Sequence, residues 1–262
     1  MFNLCRYHKN KPKSLNVYSV FRAKTATSFL MLAVCSHLTF AASYPVMPPQ
    51  HVLSFGQHRP ADFYVTGVAT DASNNVYTVD AFHRRIQKCD ANFNLILQIP
   101  VTEAIMPRDV DTDSAGNIYT VGLSLGKIWK FASDGTQLTS WGGLGIGDGL
   151  FTQARGLLID SQDRIYVADG QQHQIQVFDT QGNILFKFGS KGALPGQFMH
   201  PHDIAEDSAG NIYVTDNRYI HKFAPDLTFI KKFGPDGTTN TRFYWPAGIE
   251  FDNADNLFVN DR

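Results

Sequence analysis

Gly210-Asn211-Ile212-Tyr213-Val214-Thr215-Asp216 decides the fold, because the chain repeats it. Near-copies run over 75–80 (NVYTVD), 116–122 (GNIYTVG), 163–169 (DRIYVAD) and 255–261 (DNLFVND). Their last residues, Asp80, Gly122, Asp169, Asp216 and Asp261, are 42, 47, 47 and 45 positions apart. Each copy is rich in β-branched and aromatic residues and follows a cluster of Asp, Ser, Asn or Gly, the composition of a strand that leaves a turn. A period in this range with strand-like copies points to radially repeated four-stranded blades.

Around each copy the same order of elements can be read. In the fourth unit the strands are His202–Glu206, Ile212–Asp216, Tyr219–Ala224 and Phe229–Gly234, with turns at 207–211 and 225–227. The third unit gives Gly156–Asp160, Arg164–Asp169, Gln174–Asp179 and Ile184–Gly189. The second gives Asp109–Asp113, Asn117–Gly122, Lys127–Ala132 and Leu138–Gly142, and the first Gly67–Asp71, Asn75–Asp80, Arg85–Asp90 and Leu95–Pro100. Joints Trp141–Phe151, Phe188–Phe198 and Phe233–Phe243 lead from one unit to the next, each closing on an aromatic residue. No segment beyond the N-terminal leader keeps a helical period. Cys89 falls in the slot that Phe131, Phe178 and Phe223 fill elsewhere, so it reads as a small hydrophobe in the core.

The chain has 262 residues, a net charge of −1 and a pI near 6.7. That total offers no electrostatic footprint for nucleic acid or for an anionic membrane. Six basic residues (Arg6, Lys9, Lys11, Lys13, Arg22, Lys24) precede the apolar run Phe29–Ala42, which ends on small residues. Residues 1–42 read as a secretory signal peptide with a long basic n-region, in preference to an uncleaved anchor or an organelle presequence. The expected location is secreted or periplasmic, with no membrane span once the leader is removed. Residues 43–50 are a linker and 51–262 the repeat array.

The pattern F-x-x-P-x-x-[IV]-x-x-D-x-x-G-N-[IV]-Y-V-x-D…FG, carried by 63–262, resembles the NHL repeat. That resemblance implies an all-β propeller of four-stranded antiparallel blades, of a six-bladed family, and His51–Gly56 (HVLSFG) as a closing outer strand. The array read here has four full units and half of a fifth, so a truncated chain is expected in preference to a five-bladed ring with one thin blade.

One position per unit opens each first strand: Thr66, Arg108, Arg155, His202 and Ala247. The resemblance places it near a mouth of the central channel, where Arg108, Arg155 and His202 would present an anion-attracting opening. The bland reading is a wet channel lined by side chains that bond neighbouring strands. His200-Pro201-His202-Asp203 is similar to the Pro-His-Asp motif of peptidyl-hydroxyglycine amidating lyases. In that family His202 would be a zinc ligand with Asp203 beside a structural calcium, and other blades would supply further histidines. The equivalent positions here hold none, and catalytic zinc commonly needs three protein ligands. Asp111-Thr112-Asp113-Ser114-Ala115-Gly116 begins like a calcium loop but places Gly122 where the bidentate Glu belongs. The glycine run 142–149 lacks nucleotide-loop spacing.

The expected function is therefore a binding scaffold without catalytic residues or cofactor, its partner a protein, peptide, glycan or small anion and not nucleic acid. The alternative is a zinc- or calcium-dependent lyase or hydrolase. The recurrent acids Asp80, Asp169, Asp216 and Asp261 are expected to accept bonds from the turn that follows each. Tyr77, Tyr119, Tyr166, Tyr213 and Phe258 are expected to pack between blades and not to form a binding stripe. His83, His173 and His221 are expected in surface or loop roles.

Overall fold

A computed structural model describes residues 65–103, 106–234 and 243–261. The leader, the 43–50 linker and the His51–Gly56 segment lie outside the described residues. Every regular element among the described residues is a strand. The first sheet holds β1 (Val65–Thr70), β2 (Val76–Asp80), β3 (Arg85–Cys89) and β4 (Leu95–Pro100). The second holds β5 (Pro107–Thr112), β6 (Ile118–Gly122), β7 (Lys127–Phe131) and β8 (Gln137–Gly142). The third holds β9 (Ala154–Ile159), β10 (Ile165–Asp169), β11 (Gln174–Phe178) and β12 (Ile184–Phe188). The fourth holds β13 (Pro201–Glu206), β14 (Ile212–Asp216), β15 (Tyr219–Phe223) and β16 (Phe229–Phe233), and a two-stranded sheet pairs β17 (Pro246–Phe251) with β18 (Leu257–Asp261). Each sheet is an antiparallel meander in chain order, as the repeat predicts. First strands neighbour one another, β1 against β5, β5 against β9, β9 against β13 and β13 against β17.

The second strands are apolar on both faces because both are covered. In β10, Ile165 and Val167 pack toward the second sheet while Tyr166 and Ala168 pack toward the fourth. In β14, Ile212 and Val214 face back while Tyr213 faces β17. The period of two thus splits each strand between two cores, and each core belongs to a pair of sheets. Phe151 and Phe198, the aromatic ends of two joints, are fully buried within these cores. Cys89 is buried, and burial pushes its thiol upward.

Phe258, expected to pack like the tyrosines, is exposed instead, on the last described sheet. The tyrosines do more than pack. Tyr77, Tyr119 and Tyr213 donate their hydroxyls to Asp71, Asp113 and Asp207 at 2.9, 2.8 and 3.0 Å. Those aspartates organise the first hairpin turns: Asp113 also accepts from the Ala115 and Asn117 amides and from Asn117 Nδ2. This is a side-chain-braced turn that employs Asp113, while Asp111 accepts from Ile159 N of the next sheet at 2.6 Å. Between sheets, Ser114, Ser161 and Ser208 each donate to an acid of the next unit, Asp163, Glu206 and Asp255.

Around the channel, glycine and aspartate alternate at one position of the first strands: Gly67, Asp109, Gly156, Asp203, Gly248. A Cβ on Gly67 would lie 2.6 Å from the Asp109 Cα, and one on Gly156 would lie 2.6 Å from the His202 carbonyl oxygen and 2.7 Å from the Asp203 Cα. Each aspartate then reaches onward: Asp109 Oδ2 accepts from Leu157 N at 2.9 Å and Asp203 Oδ2 from Ile249 N at 3.0 Å. Glycine lets one strand approach, and aspartate ties the next. Gly156→Ala pushes backbone against backbone. It is expected to lower stability by about 1–3 kcal/mol, read as an earlier midpoint in urea denaturation; an unchanged midpoint contradicts this packing.

Candidate functional site

The five positions singled out from sequence share one structural cause. In every first strand the register shifts at that place: between Val65 and Gly67, Pro107 and Asp109, Pro201 and Ile204, and Pro246 and Gly248, and in the β9–β10 pairing between Val167 and Asp169. Thr66, Arg108, Arg155, His202 and Ala247 lie at these bulges. A bulge re-aims a side chain that regular pleating would send elsewhere. All five line one narrow cavity of about 50 Å³ among the first strands, room for a few waters or one small oxyanion.

The five differ in how they are held. Thr66 Oγ1 donates to the Pro107 carbonyl at 3.0 Å. Arg155 Nε donates to Gln153 Oε1 at 3.0 Å, and its Nη1 lies 3.0 and 3.2 Å from the two ring nitrogens of His202. Arginine can only donate, so the imidazole accepts and is neutral there. His202 is 3% exposed, with the Trp245 ring against it at 5.3 Å. Arg108 is half-buried, and among the described residues its guanidinium takes no hydrogen-bond or ion-pair partner.

A second row was not read from the sequence. Gln153, His200 and Trp245 stand two residues before Arg155, His202 and Ala247. Applying the repeat register two positions upstream would have found them. His200 Nδ1 is buried without a partner and faces Gly170, where a Cβ would lie 2.9, 3.0 and 3.1 Å from Gln153 Oε1, Arg155 Nε and His200 Nδ1. The glycine is what lets these side chains close together. The rings of His173 and His200 are 6.1 Å apart, and those of His200 and His202 are 6.4 Å apart. Burial lowers the pKa of His200, the Arg155 and His173 charges lower it further, and Asp216 opposes them.

The recurrent aspartates hold this row in place. The expectation that each serves the turn after it is met by Asp80, which takes His83 N at 3.2 Å, and by Asp169, which takes Gln171 N and Gln172 N at 3.0 Å each. The larger role is upstream. Asp169 also accepts from Thr152 N at 2.7 Å and Gln153 N at 3.1 Å. Asp216 accepts from Met199 N and His200 N, and Asp261 from Tyr244 N at 2.9 Å and Trp245 N at 2.6 Å. These are the amides that lead directly into the mouth positions. The second unit has Gly122 instead, and it keeps only the backbone bond, Leu123 N to Met106 O at 3.3 Å, whose equivalent in the third unit, Gly170 N to Gln153 O at 3.1 Å, accompanies Asp169. His221 corrects an expectation: it is 1% exposed, ringed by Phe198, Phe223 and Phe229, with Nε2 3.5 Å from Asp216 Oδ2. His83 and His173 do lie in the loops between second and third strands.

Among the described residues, the contacts of His202 and Asp203 are not those of a zinc or calcium site. Asp203 spends its oxygens on Ile204 N at 2.9 Å and Ile249 N at 3.0 Å. Both ring nitrogens of His202 face a guanidinium. Among the described residues no group of His, Cys, Asp or Glu side chains comes together to hold a metal. The opposite end of the channel is wider, about 730 Å³, and is lined by hairpin-turn residues that include Asp71, Asp113, Asp160, Glu206, Asp207 and Asp252.

A family model described as a 6-bladed beta-propeller matches residues 148–230. The chain is a β-propeller. Virginiamycin B lyase from Staphylococcus aureus is similar in structure, with 16% identity and a TM-score of 0.60 over 76% of this chain and 64% of that one. This chain thus spans less than two thirds of that lyase. A gluconolactonase from Xanthomonas campestris gives 16% identity and 0.59 over 76% and 69%. A chain of the nidogen/laminin complex gives 17% and 0.61 over 78% and 74%. Similarity at this level carries the propeller fold and no activity. No curated protein matches the sequence.

Asp216→Ala strips the acceptor from two amides of the joint that leads into β13. It is expected to cost about 2–4 kcal/mol in chemical denaturation and to speed hydrogen exchange at Met199 and His200. Unchanged exchange there would show that the carboxylate does not hold the joint.

Proposed function

We propose that this propeller is an exported binding scaffold that captures an anionic group at the mouth formed by Arg108, Arg155 and His202. The group is a carboxylate or phosphate borne by a protein, peptide, glycan or small molecule. The observation that carries this reading is Arg108, a half-buried guanidinium that lines the channel with no partner among the described residues. A cation kept in a concave, partly desolvated place attracts an anion more strongly than one on an open surface. Arg155 lies in the same cavity, braced by Gln153 and His202. Export rests on the leader read in the sequence. The acidic far end of the channel and the net charge of −1 argue against a nucleic-acid partner. A metal-dependent lyase or hydrolase has only the Pro201-His202-Asp203 string in its favour, and the contacts of His202 and Asp203 speak against it.

The two arginines separate in their effects. Arg108→Gln is expected to weaken sulfate binding about tenfold, measured by calorimetric titration, with the thermal midpoint unchanged. Arg155→Gln is expected to weaken binding and also to lower the midpoint, because Gln153 and His202 lose their brace. Binding that survives both substitutions refutes the anion mouth. Crosslinking in the exported fraction then identifies the natural partner.

A further inference from the structure

The mouth carries more imidazole than its arginines need. His173, His200 and His202 form a row of rings from the loop after β10, across the joint before β13, toward Trp245 in the joint before β17. Their hydrogen bonds assign different states. His202 accepts from Arg155 and stays neutral. His173 Nδ1 lies 2.7 Å from the Met199 carbonyl, so that nitrogen carries the proton. In His200, Nδ1 is buried and has no partner. It is the imidazole of the row whose protonation no hydrogen bond of its ring fixes.

Resting on the anion-binding reading above, we propose that His200 takes up a proton when the mouth binds an oxyanion, so that capture tightens as the medium becomes acidic. The charges around His200 make the two events depend on each other. Arg155 from β9 and His173 from the loop after β10 both oppose a positive imidazole. Asp216 at the end of β14 favours one, but its carboxylate already accepts the Met199 and His200 amides and has His221 on its other side. Asp169 is likewise engaged by the amides of Thr152, Gln153, Gln171 and Gln172. The protein alone thus leaves the proton disfavoured. An oxyanion beside Arg155 supplies the missing negative charge. By linkage, whatever makes the proton bind more tightly when the anion is present makes the anion bind more tightly when the proton is present. Half-buried polar neighbours exchange charge effects more strongly than exposed ones, because less water screens them.

Burial, Arg155 and His173 place the titration of free His200 below the ordinary imidazole value, so the direction is fixed. Anion affinity should be flat on the alkaline side and rise as the pH falls from about 6.5. Sulfate is the probe, since its charge does not change in this range. For the full chain, the sulfate Kd is expected to tighten about tenfold between roughly pH 8 and pH 5.5. At about pH 6.5 the binding enthalpy is expected to change between buffers of different ionisation enthalpy, reporting net proton uptake. In His200→Gln both effects should disappear. NMR titration of the His200 ring in the wild-type protein, with and without sulfate, is the second measurement, independent of how the variant folds. Its pKa must rise in sulfate. Sulfate binding with a flat pH profile and an unmoved His200 overturns the proton coupling and leaves the anion mouth standing. No sulfate binding at any pH, with Arg108→Gln also silent, overturns both.

Discussion

Asp169, Asp216 and Asp261 each end a second strand and each hold the backbone amides of the joint that leads into their own sheet's first strand. The joints 142–151 and 188–198 are long and glycine-rich, and without an anchor they would leave the next strand's start undefined. A buried carboxylate with several N–H donors is among the stronger local constraints a loop can have, because breaking it leaves charge and donors unpaired together. The aromatic ends Phe151 and Phe198 add the apolar half of the anchor. Register, bulge and mouth follow from where these joints arrive.

The site is therefore a by-product of blade construction that the sequence varies at little cost. The bulge recurs in every first strand, but the side chain it aims inward changes from Thr66 to Arg108, Arg155, His202 and Ala247. Scaffold and specificity use different residues: the hairpin-turn aspartates are constant, the clamp aspartate is missing only at Gly122 among the described units, and the aimed residues are free to differ. Arg108 belongs to the sheet whose second strand ends in Gly122, so its joint has the backbone bond that the third sheet also has but lacks the carboxylate clamp. That arginine has a looser foundation than Arg155.

Most of the architecture was legible because the repeat makes each strand a check on the others. Strand boundaries, the hairpin turns and the core slot of Cys89 could be read by aligning copies. The equivalence of Arg108, Arg155 and His202 was legible for the same reason. What could not be read was the partner of each polar group. The clamp role of Asp216 lies in contacts 16 and 17 residues upstream, and the tie from Asp203 to Ile249 spans 46. The row of Gln153, His200 and Trp245 went unseen because no shared residue type marks it. His221 reads as polar in sequence and is enclosed by phenylalanines in the fold.

The order Gly67, Asp109, Gly156, Asp203, Gly248 means that neighbouring blades are of two kinds, one that yields space and one that fills it. Gene duplication or recombination that adds one blade disturbs this parity. It sets two aspartates side by side, with like charge and no room, or two glycines, with a gap and an untied amide. Adding a pair restores the sequence of donor and acceptor. Packing thus follows a period of two blades, although the visible repeat is one.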